Sequence, residues 1–240
     1  MGSVFMSRKV WIETVLVVAI VTGLYIYLSA GSVGAESAVV IPAAAVDNPK
    51  VAGPLQTAVL AGGCFWGVQA VYQHVQGVRE VLSGYSGGSK ATAEYETVST
   101  GSTGHAESVQ IRFDPKEVSY GEILRIYFSV VHNPTELNKQ GPDVGTQYRS
   151  NIFYSDDTQK KIATAYIDQL DKAKVFGQKI VTRVDPLKAF YPAEEYHQDF
   201  LVKNPKQPYI VKFDIPKVQN FKTTFPALYR GEPVLVKKSS

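Results

Sequence analysis

A chain of 240 residues that is 45% hydrophobic and 20% charged has a globular composition, enough for one well-packed core and unlike a disordered or fibrous protein. A formal net charge of +3 without a clustered Lys/Arg stripe leaves no electrostatic footprint for nucleic acid. One cysteine excludes an intramolecular disulfide and multi-cysteine zinc motifs, and the four histidines (His74, His105, His132, His197) stand far apart without ligand spacing, so no metal is expected.

Taken in chain order, Arg8 and Lys9 precede an apolar run from Val10 to Ala30, and the 21 residues from Thr14 to Gly34 carry no charge. Such a run is long enough to cross a bilayer as a helix, with its basic end cytoplasmic. The same features describe a secretory signal peptide, with Val33-Gly34-Ala35 as a small-residue cleavage site. Residues 1–35 are read as one or the other. Either places the folded part outside the cytoplasm, in the periplasm or on the extracytoplasmic face of the membrane. Residues 36–56, rich in Ala, Val and Gly with Pro42, Pro49 and Pro54, show neither helical nor strand periodicity and read as a linker.

Thr57 to Leu60 reads as a short apolar strand. The glycine-rich turn Ala61 to Gly67 follows, and Val68, Val71, Tyr72 and Val75 then recur on one helical face. Val78 to Tyr85 reads as a strand, Tyr95 to Ser99 as irregular, and Ser108 to Phe113 as a cleanly alternating strand stopped by Asp114-Pro115. Ser119 and Glu122 fit a capping box for a helix through Val130, which His132-Asn133-Pro134 ends. A strand over Gln147–Tyr154, a helix capped by Asp156 and running to about Lys174, and a strand over Lys179–Val184 complete the pattern. Pro192 opens a short helix through Phe200, and the tail from Tyr209 is coil-rich and wraps the body. The order predicts an α+β fold: a two-layer sandwich with a mixed sheet covered by helices and a split βαβ-like core. A monomer is expected.

Cys64 sits where the glycine turn leaves a strand and opens a helix. Unpaired N–H groups and the positive helix end stabilise a thiolate there; the plain alternative is a small buried hydrophobe. Four motifs decide between them: Gly63-Cys64-Phe65-Trp66-Gly67, Gly104-His105-Ala106-Glu107, Gly145-Thr146-Gln147-Tyr148-Arg149-Ser150 and Tyr191-Pro192-Ala193-Glu194-Glu195-Tyr196-His197-Gln198. In this order and spacing they resemble the A-type peptide methionine sulfoxide reductases, over about Thr57 to Tyr209. The resemblance marks residues 57–209 as a catalytic domain and 210–240 as its tail.

The resemblance implies reduction of methionine S-sulfoxide, free or in proteins, with Cys64 attacking the sulfoxide sulfur. It implies Glu107 as the acid that protonates the sulfoxide oxygen, Tyr95 and Tyr148 as hydroxyl donors to that oxygen, and Asp143 as an orienting carboxylate. Phe65 and Trp66 then form the apolar wall for the S-methyl group. On position alone, Glu107 is a solvated charge, Tyr95 and Tyr148 are core aromatics, and Phe65 and Trp66 pack a helix. His105 and His197 are read as structural.

The chain departs from the family pattern where many members carry further cysteines near the C-terminus; the tail from Tyr209 to Ser240 has none. The sulfenic acid left on Cys64 therefore needs an external thiol, from a thioredoxin- or glutaredoxin-type protein or a small molecule, and no bound cofactor is expected. Gln69 and Asn133, where charged residues are frequent in the family, lie outside the residues assigned to chemistry. Two competing readings are a single-cysteine thiol peroxidase and a tethered interaction module with a structural Cys64.

Overall fold

The computed structural model describes residues 37–237, and the expected signal peptide or anchor lies outside them. Strands β1 (Gln56–Ala61), β2 (Val78–Ser86), β3 (Ala106–Phe113), β4 (Lys139–Gln140), β5 (Asp143–Val144), β6 (Asn151–Tyr154), β7 (Arg183–Pro186) and β8 (Phe190–Pro192) are interleaved with six α-helices. These are α1 (Phe65–Gln73), α2 (Tyr95–Val98), α3 (Tyr120–Ile126), α4 (Asp157–Lys172), α5 (Phe200–Lys203) and α6 (Ile215–Thr224). Among the described residues no helix is long and apolar enough to cross a membrane.

Six strands make one mixed sheet in the order β7-β6-β1-β3-β2-β8. Strand β3 lies antiparallel between β1 and β2, so β1 and β2 run parallel, joined by α1, with a third strand inserted. This is the split βαβ core that the element order predicts. Only β6 and β7 pair in parallel. Successive side chains alternate between sheet faces. Leu60, Val109, Ile111 and Ile152 accordingly meet Val68, Val71 and Tyr72 of α1 and the α3 and α4 side chains in the main core. Val59, Ala61, Ala106 and Phe153 bury a small cluster on the other face. The fold is the α+β two-layer arrangement with a mixed sheet.

The predicted caps form. Ser119 Oγ accepts from the Glu122 N–H at 3.1 Å and Glu122 accepts from the Ser119 N–H at 2.8 Å. Asp156 accepts from the Gln159 N–H at 2.9 Å and starts α4. Helix α3 runs on into a π-helical turn, Tyr127–Val131, before His132.

Several elements differ from their sequence readings. The segment read as a linker lies against the body from residue 37. Val39 N–H donates to the Ser129 carbonyl at 2.9 Å, Ile41 is buried in the main core, and the Tyr166 hydroxyl donates to the Pro42 carbonyl at 2.6 Å. Asp47 accepts from the Gly121 N–H at 2.8 Å and from the Ser119 hydroxyl. A strap held by contacts to different elements in turn leaves no periodicity to read. Tyr95–Val98 is a helical turn rather than irregular chain. The strand expected over Gln147–Tyr154 begins only at Asn151, because Thr146–Tyr148 forms a 3₁₀ turn after Gly145.

The strand expected over Lys179–Val184 is displaced to Arg183–Pro186, since the Ile180 N–H donates to the Asp171 carboxylate at 2.9 Å instead of to a neighbouring strand. Pro192 ends edge strand β8, where its missing N–H does no harm. The short helix expected from it is replaced by a turn at Glu195–His197 and by α5. The tail lies against α1, with the Val234 N–H donating to the Gln73 carbonyl at 3.0 Å, and it is helical where coil is the sequence reading. A π-helical turn at Ile210–Asp214 leads into α6, whose Pro216 occupies a first-turn position that proline favours.

Candidate active site

Cys64 is the N-cap residue of α1, at the end of β1. Two glycines of the turn make that position accessible to the chain. Gly63 has φ +86°, and a Cβ there would stand 2.6 Å from Gln140 Cβ. A Cβ on Gly67 would collide with Asp214 Oδ1, so the C-terminal segment is seated directly against the first turn of the cysteine's helix. The Tyr127 hydroxyl holds the strand end by donating to the Ala61 carbonyl at 2.6 Å.

Cys64 is only 8% exposed. Burial pushes its thiol well above the ordinary range, and Glu107 and Asp214 push in the same direction, while the Trp66 N–H opposes them. The helix start therefore favours the thiolate without prevailing, and the resting side chain is a thiol.

Glu107, on β3 and 3% exposed, accepts a hydrogen bond from the Phe65 N–H at 3.0 Å. Burial pushes its carboxyl up to about 8, against the lowering effect of that N–H and with help from Asp143 and Asp214. It is thus a protonated acid at neutral pH, and the solvated-charge alternative fails.

Tyr95 and Tyr148 each lie within electrostatic reach of both Glu107 and Cys64, and burial raises both phenols. Asp143, on β5, accepts the Tyr209 hydroxyl. Burial raises its carboxyl, while Tyr209 and Lys217 lower it.

Phe65 is fully buried in the main core. Trp66 is partly exposed and stacks on Phe200 at 3.8 Å between centroids, with its indole N–H donating to His197 Nδ1 at 3.1 Å. His197 also meets the rings of Phe65 at 5.1 Å and Tyr95 at 4.4 Å. Burial lowers the His197 imidazole, with Glu194 opposing, which keeps the ring neutral so that Nδ1 can accept. Trp66, Phe65, His197 and Tyr95 thus pack as one aromatic cluster, with Phe65 on its buried side.

Hydrogen bonds lock the loops that carry these groups. The Arg149 guanidinium donates to the carbonyls of His105 at 3.0 Å, Gly104 at 2.8 Å and Thr146 at 2.8 Å, joining the Glu107 and Tyr148 loops. Thr146 Oγ1 donates to the Gly101 carbonyl at 2.6 Å, and Gln147 Nε2 to the Ser99 carbonyl at 3.1 Å, tying Tyr148's turn to that of Tyr95. Glu194 accepts the Tyr95 N–H at 2.9 Å and the Tyr85 hydroxyl at 2.8 Å. Gln69 and Gln198 bond to each other at 3.0 Å, so Gln69 belongs to the scaffold. His105 does too, accepting the Gly88 N–H at 3.2 Å.

All the predicted site residues converge on this end of the sheet. His197, a structural residue on the sequence reading, joins them, as do Tyr209, Asp214 and Lys217, which no motif marks. Asp214 is fully buried, and neither of its carboxylate oxygens has a hydrogen-bond partner among the described residues. Burial lifts it to about 7, with Lys217 lowering and Asp143 raising it. The one sequence signal for this tail contribution is the glycine at 67, whose missing side chain leaves room for a carboxylate. Among the described residues no cluster of His, Cys, Asp and Glu could hold a metal ion.

The chain is similar to known proteins. The family model described as peptide methionine sulfoxide reductase matches residues 56–228, beyond Tyr209 and into the tail. The "Peptide methionine sulfoxide reductase MsrA 2" of Mesorhizobium japonicum is 63% identical over 193 residues, covering 80% of this chain and 99% of the relative. The protein of the same name from Synechocystis is 52% identical over 189 residues, covering 78% and 88%. Among solved structures, reduced Mxr1 from Saccharomyces cerevisiae superposes with a TM-score of 0.58 at 34% identity, covering 68% of this chain and 92% of the other. Methionine sulfoxide reductase A of Corynebacterium diphtheriae gives 0.56 at 28% identity, covering 72% and 90%. With the family model spanning most of the chain and relatives above half identity over their own near-full length, this protein belongs to the peptide methionine sulfoxide reductase family, in its A-type branch, and is an oxidoreductase that reduces methionine sulfoxide.

Proposed function

We propose that Cys64 attacks the sulfur of methionine S-sulfoxide while Glu107 protonates the departing oxygen, with Tyr95 and Tyr148 donating hydrogen bonds to it and Trp66, backed by Phe65, receiving the S-methyl group. The observation that carries this reading is the buried Glu107 carboxyl, raised to about 8 by burial and bonded to the N–H of the residue following the nucleophile. An acid that keeps its proton at neutral pH meets a sulfoxide oxygen that becomes strongly basic as sulfur accepts a nucleophile. The Cys64 thiol proton replaces the one Glu107 delivers, so the balance is thiol plus sulfoxide to sulfenic acid plus thioether. Asp143 orients Tyr209 at the rim.

Cys64 is the only cysteine in the sequence, so the sulfenic acid is reduced by a thiol from outside, on a thioredoxin- or glutaredoxin-type protein or on a small molecule. The substrates are free methionine sulfoxide and oxidised proteins, and the role is repair. The basic-then-apolar N-terminus supports action outside the cytoplasm, with residues 1–35 either removed or retained as an anchor.

The test is reduction of the two separated sulfoxide epimers of a blocked methionine by the wild type, Glu107→Gln and Cys64→Ser. The S epimer alone is consumed, slowly by Glu107→Gln and not at all by Cys64→Ser. Consumption of both epimers by the wild type at similar rates overturns the assignment.

A further inference from the structure

A cavity of about 510 Å³ borders Cys64, and its walls include Asn133, Asp143, Val175, Phe176 and Lys217. Glu107, Tyr95, Tyr148, Phe65 and Trp66 do not line it. Cys64 thus borders this cavity while also lying within electrostatic reach of Glu107, Tyr95 and Tyr148, which are not among the cavity's walls. Its volume lies in the range of small-molecule sites.

Among the described residues that line it, Lys217 is the one Lys or Arg and Asp143 the one carboxylate. His132 also lines it, but burial pushes that imidazole down to about 3, with the Tyr127 carbonyl opposing, so it is uncharged. Lys217 runs across the first turn of α1: its Cδ would stand 3.3 Å from a Cβ on Gly67. Its ammonium lies 3.9 Å from Asp214 Oδ1, beyond hydrogen-bonding distance. Because burial favours the protonated form of Asp214, that carboxyl neutralises the ammonium only in part near neutral pH.

Building on the reductase reading, we propose that this cavity binds the resolving reductant, a low-molecular-weight thiol with amino-acid ends, seating its carboxylate on Lys217 and presenting its sulfur to the oxidised Cys64. One further observation favours a small molecule over a folded protein: Cys64 lies at the cavity wall with only 8% exposure, an opening better matched to a small thiol than to one carried on a protein surface. The approach also suits the chemistry. Displacement at a sulfenic sulfur runs opposite the departing oxygen, and on the proposed mechanism that oxygen is left beside Glu107 and the tyrosines, which are not among the cavity's walls.

The steps balance. A first thiol forms an S–S bond to Cys64 as the S–O bond breaks, and the hydroxyl leaves with the thiol's proton as water. A second thiol attacks the mixed disulfide at the small molecule's sulfur, releasing Cys64 and a small-molecule disulfide. Two thiols are oxidised for each oxygen removed.

The experiment oxidises the full-length protein with one equivalent of blocked methionine S-sulfoxide, quantifies the Cys64 sulfenic acid with a trapping reagent, and mixes it with glutathione or with uncharged 2-mercaptoethanol. If no methionine and no sulfenic acid form, the reductase reading itself has failed. Given the sulfenic acid, we expect the glutathione rate to saturate with concentration. The glutathione-to-mercaptoethanol rate ratio should fall about tenfold in Lys217→Met and recover in Lys217→Arg. A ratio unchanged within twofold in Lys217→Met overturns the site. So does a rate with reduced thioredoxin alone that exceeds the saturated glutathione rate. Using the ratio on pre-formed sulfenic acid keeps the outcome independent of any effect of the substitution on the first step.

Discussion

Glu107→Gln should make the protein more stable as it makes it less active, and the stability difference should depend on pH in a defined way. Glu107 has a folded-state carboxyl near 8 against an ordinary value of 4.5, chiefly through burial. Between these values the folded protein holds a proton that the unfolded chain releases. Unfolding free energy therefore falls with rising pH by about 1.4 kcal/mol per unit, or about 2.7 kcal/mol from pH 5 to pH 7. The sign follows from the direction of the shift: the contribution is intact below about 4.5, declines as pH rises, and declines no further above about 8. The glutamine side chain of the variant would keep the acceptor for the Phe65 N–H and has nothing to ionise.

Urea denaturation of both proteins at pH 5, 6 and 7 should show the variant's advantage growing by about 2–3 kcal/mol across that window. Asp214 titrates in both and largely cancels from the comparison. In parallel, wild-type activity should decline above about pH 8 as the acid deprotonates, while the variant should lose at least about a hundredfold in rate and that pH limb with it. A stability difference constant from pH 5 to pH 7 would refute the claim that burial holds the proton on Glu107.

Asp214→Asn removes a carboxylate whose charge raises the Cys64 thiol. Alkylation by iodoacetamide at pH 8 should speed up about three- to tenfold, and an unchanged rate would mean the tail does not act on the nucleophile. Gly67→Ala gains helix propensity but drives a Cβ into Asp214 Oδ1. We expect a net loss of about 1–3 kcal/mol that is largely recovered in the double variant with Asp214→Ala; a neutral single variant would disprove the close seating. Ile41→Ala should cost about 2–4 kcal/mol in thermal or urea unfolding, because Ile41 is buried in the main core. No change would restore residues 36–56 to the role of a linker.

Much of the candidate site was legible in the sequence because it depends on residue type and local turn geometry. A glycine turn between an apolar strand and a helical face located Cys64, and the family resemblance set Glu107, Tyr95 and Tyr148 beside it. The alternating strand over Ser108–Phe113 and the Ser119/Glu122 capping box are local features, and they form as read. What failed in the sequence were segments whose structure is imposed by distant partners. The strap around Ile41 is ordered by Ser129, Tyr166 and the start of α3, and its own residues carry no period that reveals this. Helix α6 forms in a tail that reads as coil, and its Pro216 is no obstacle, because a proline's meaning depends on whether it falls in the first turn or the interior.

By itself, then, the sequence determined the family, the split βαβ order and which residues to gather into a candidate site around Cys64. Only the tertiary structure decided protonation states and neighbours. It buries Glu107 deeply enough to keep its proton, and it holds Cys64 as a thiol against the pull of the helix end. It also sets Asp214 and Lys217 against Gly67 from a tail about 150 positions further along the chain. Burial and long-range electrostatics depend on what surrounds a group in space, and no local pattern of residues encodes that.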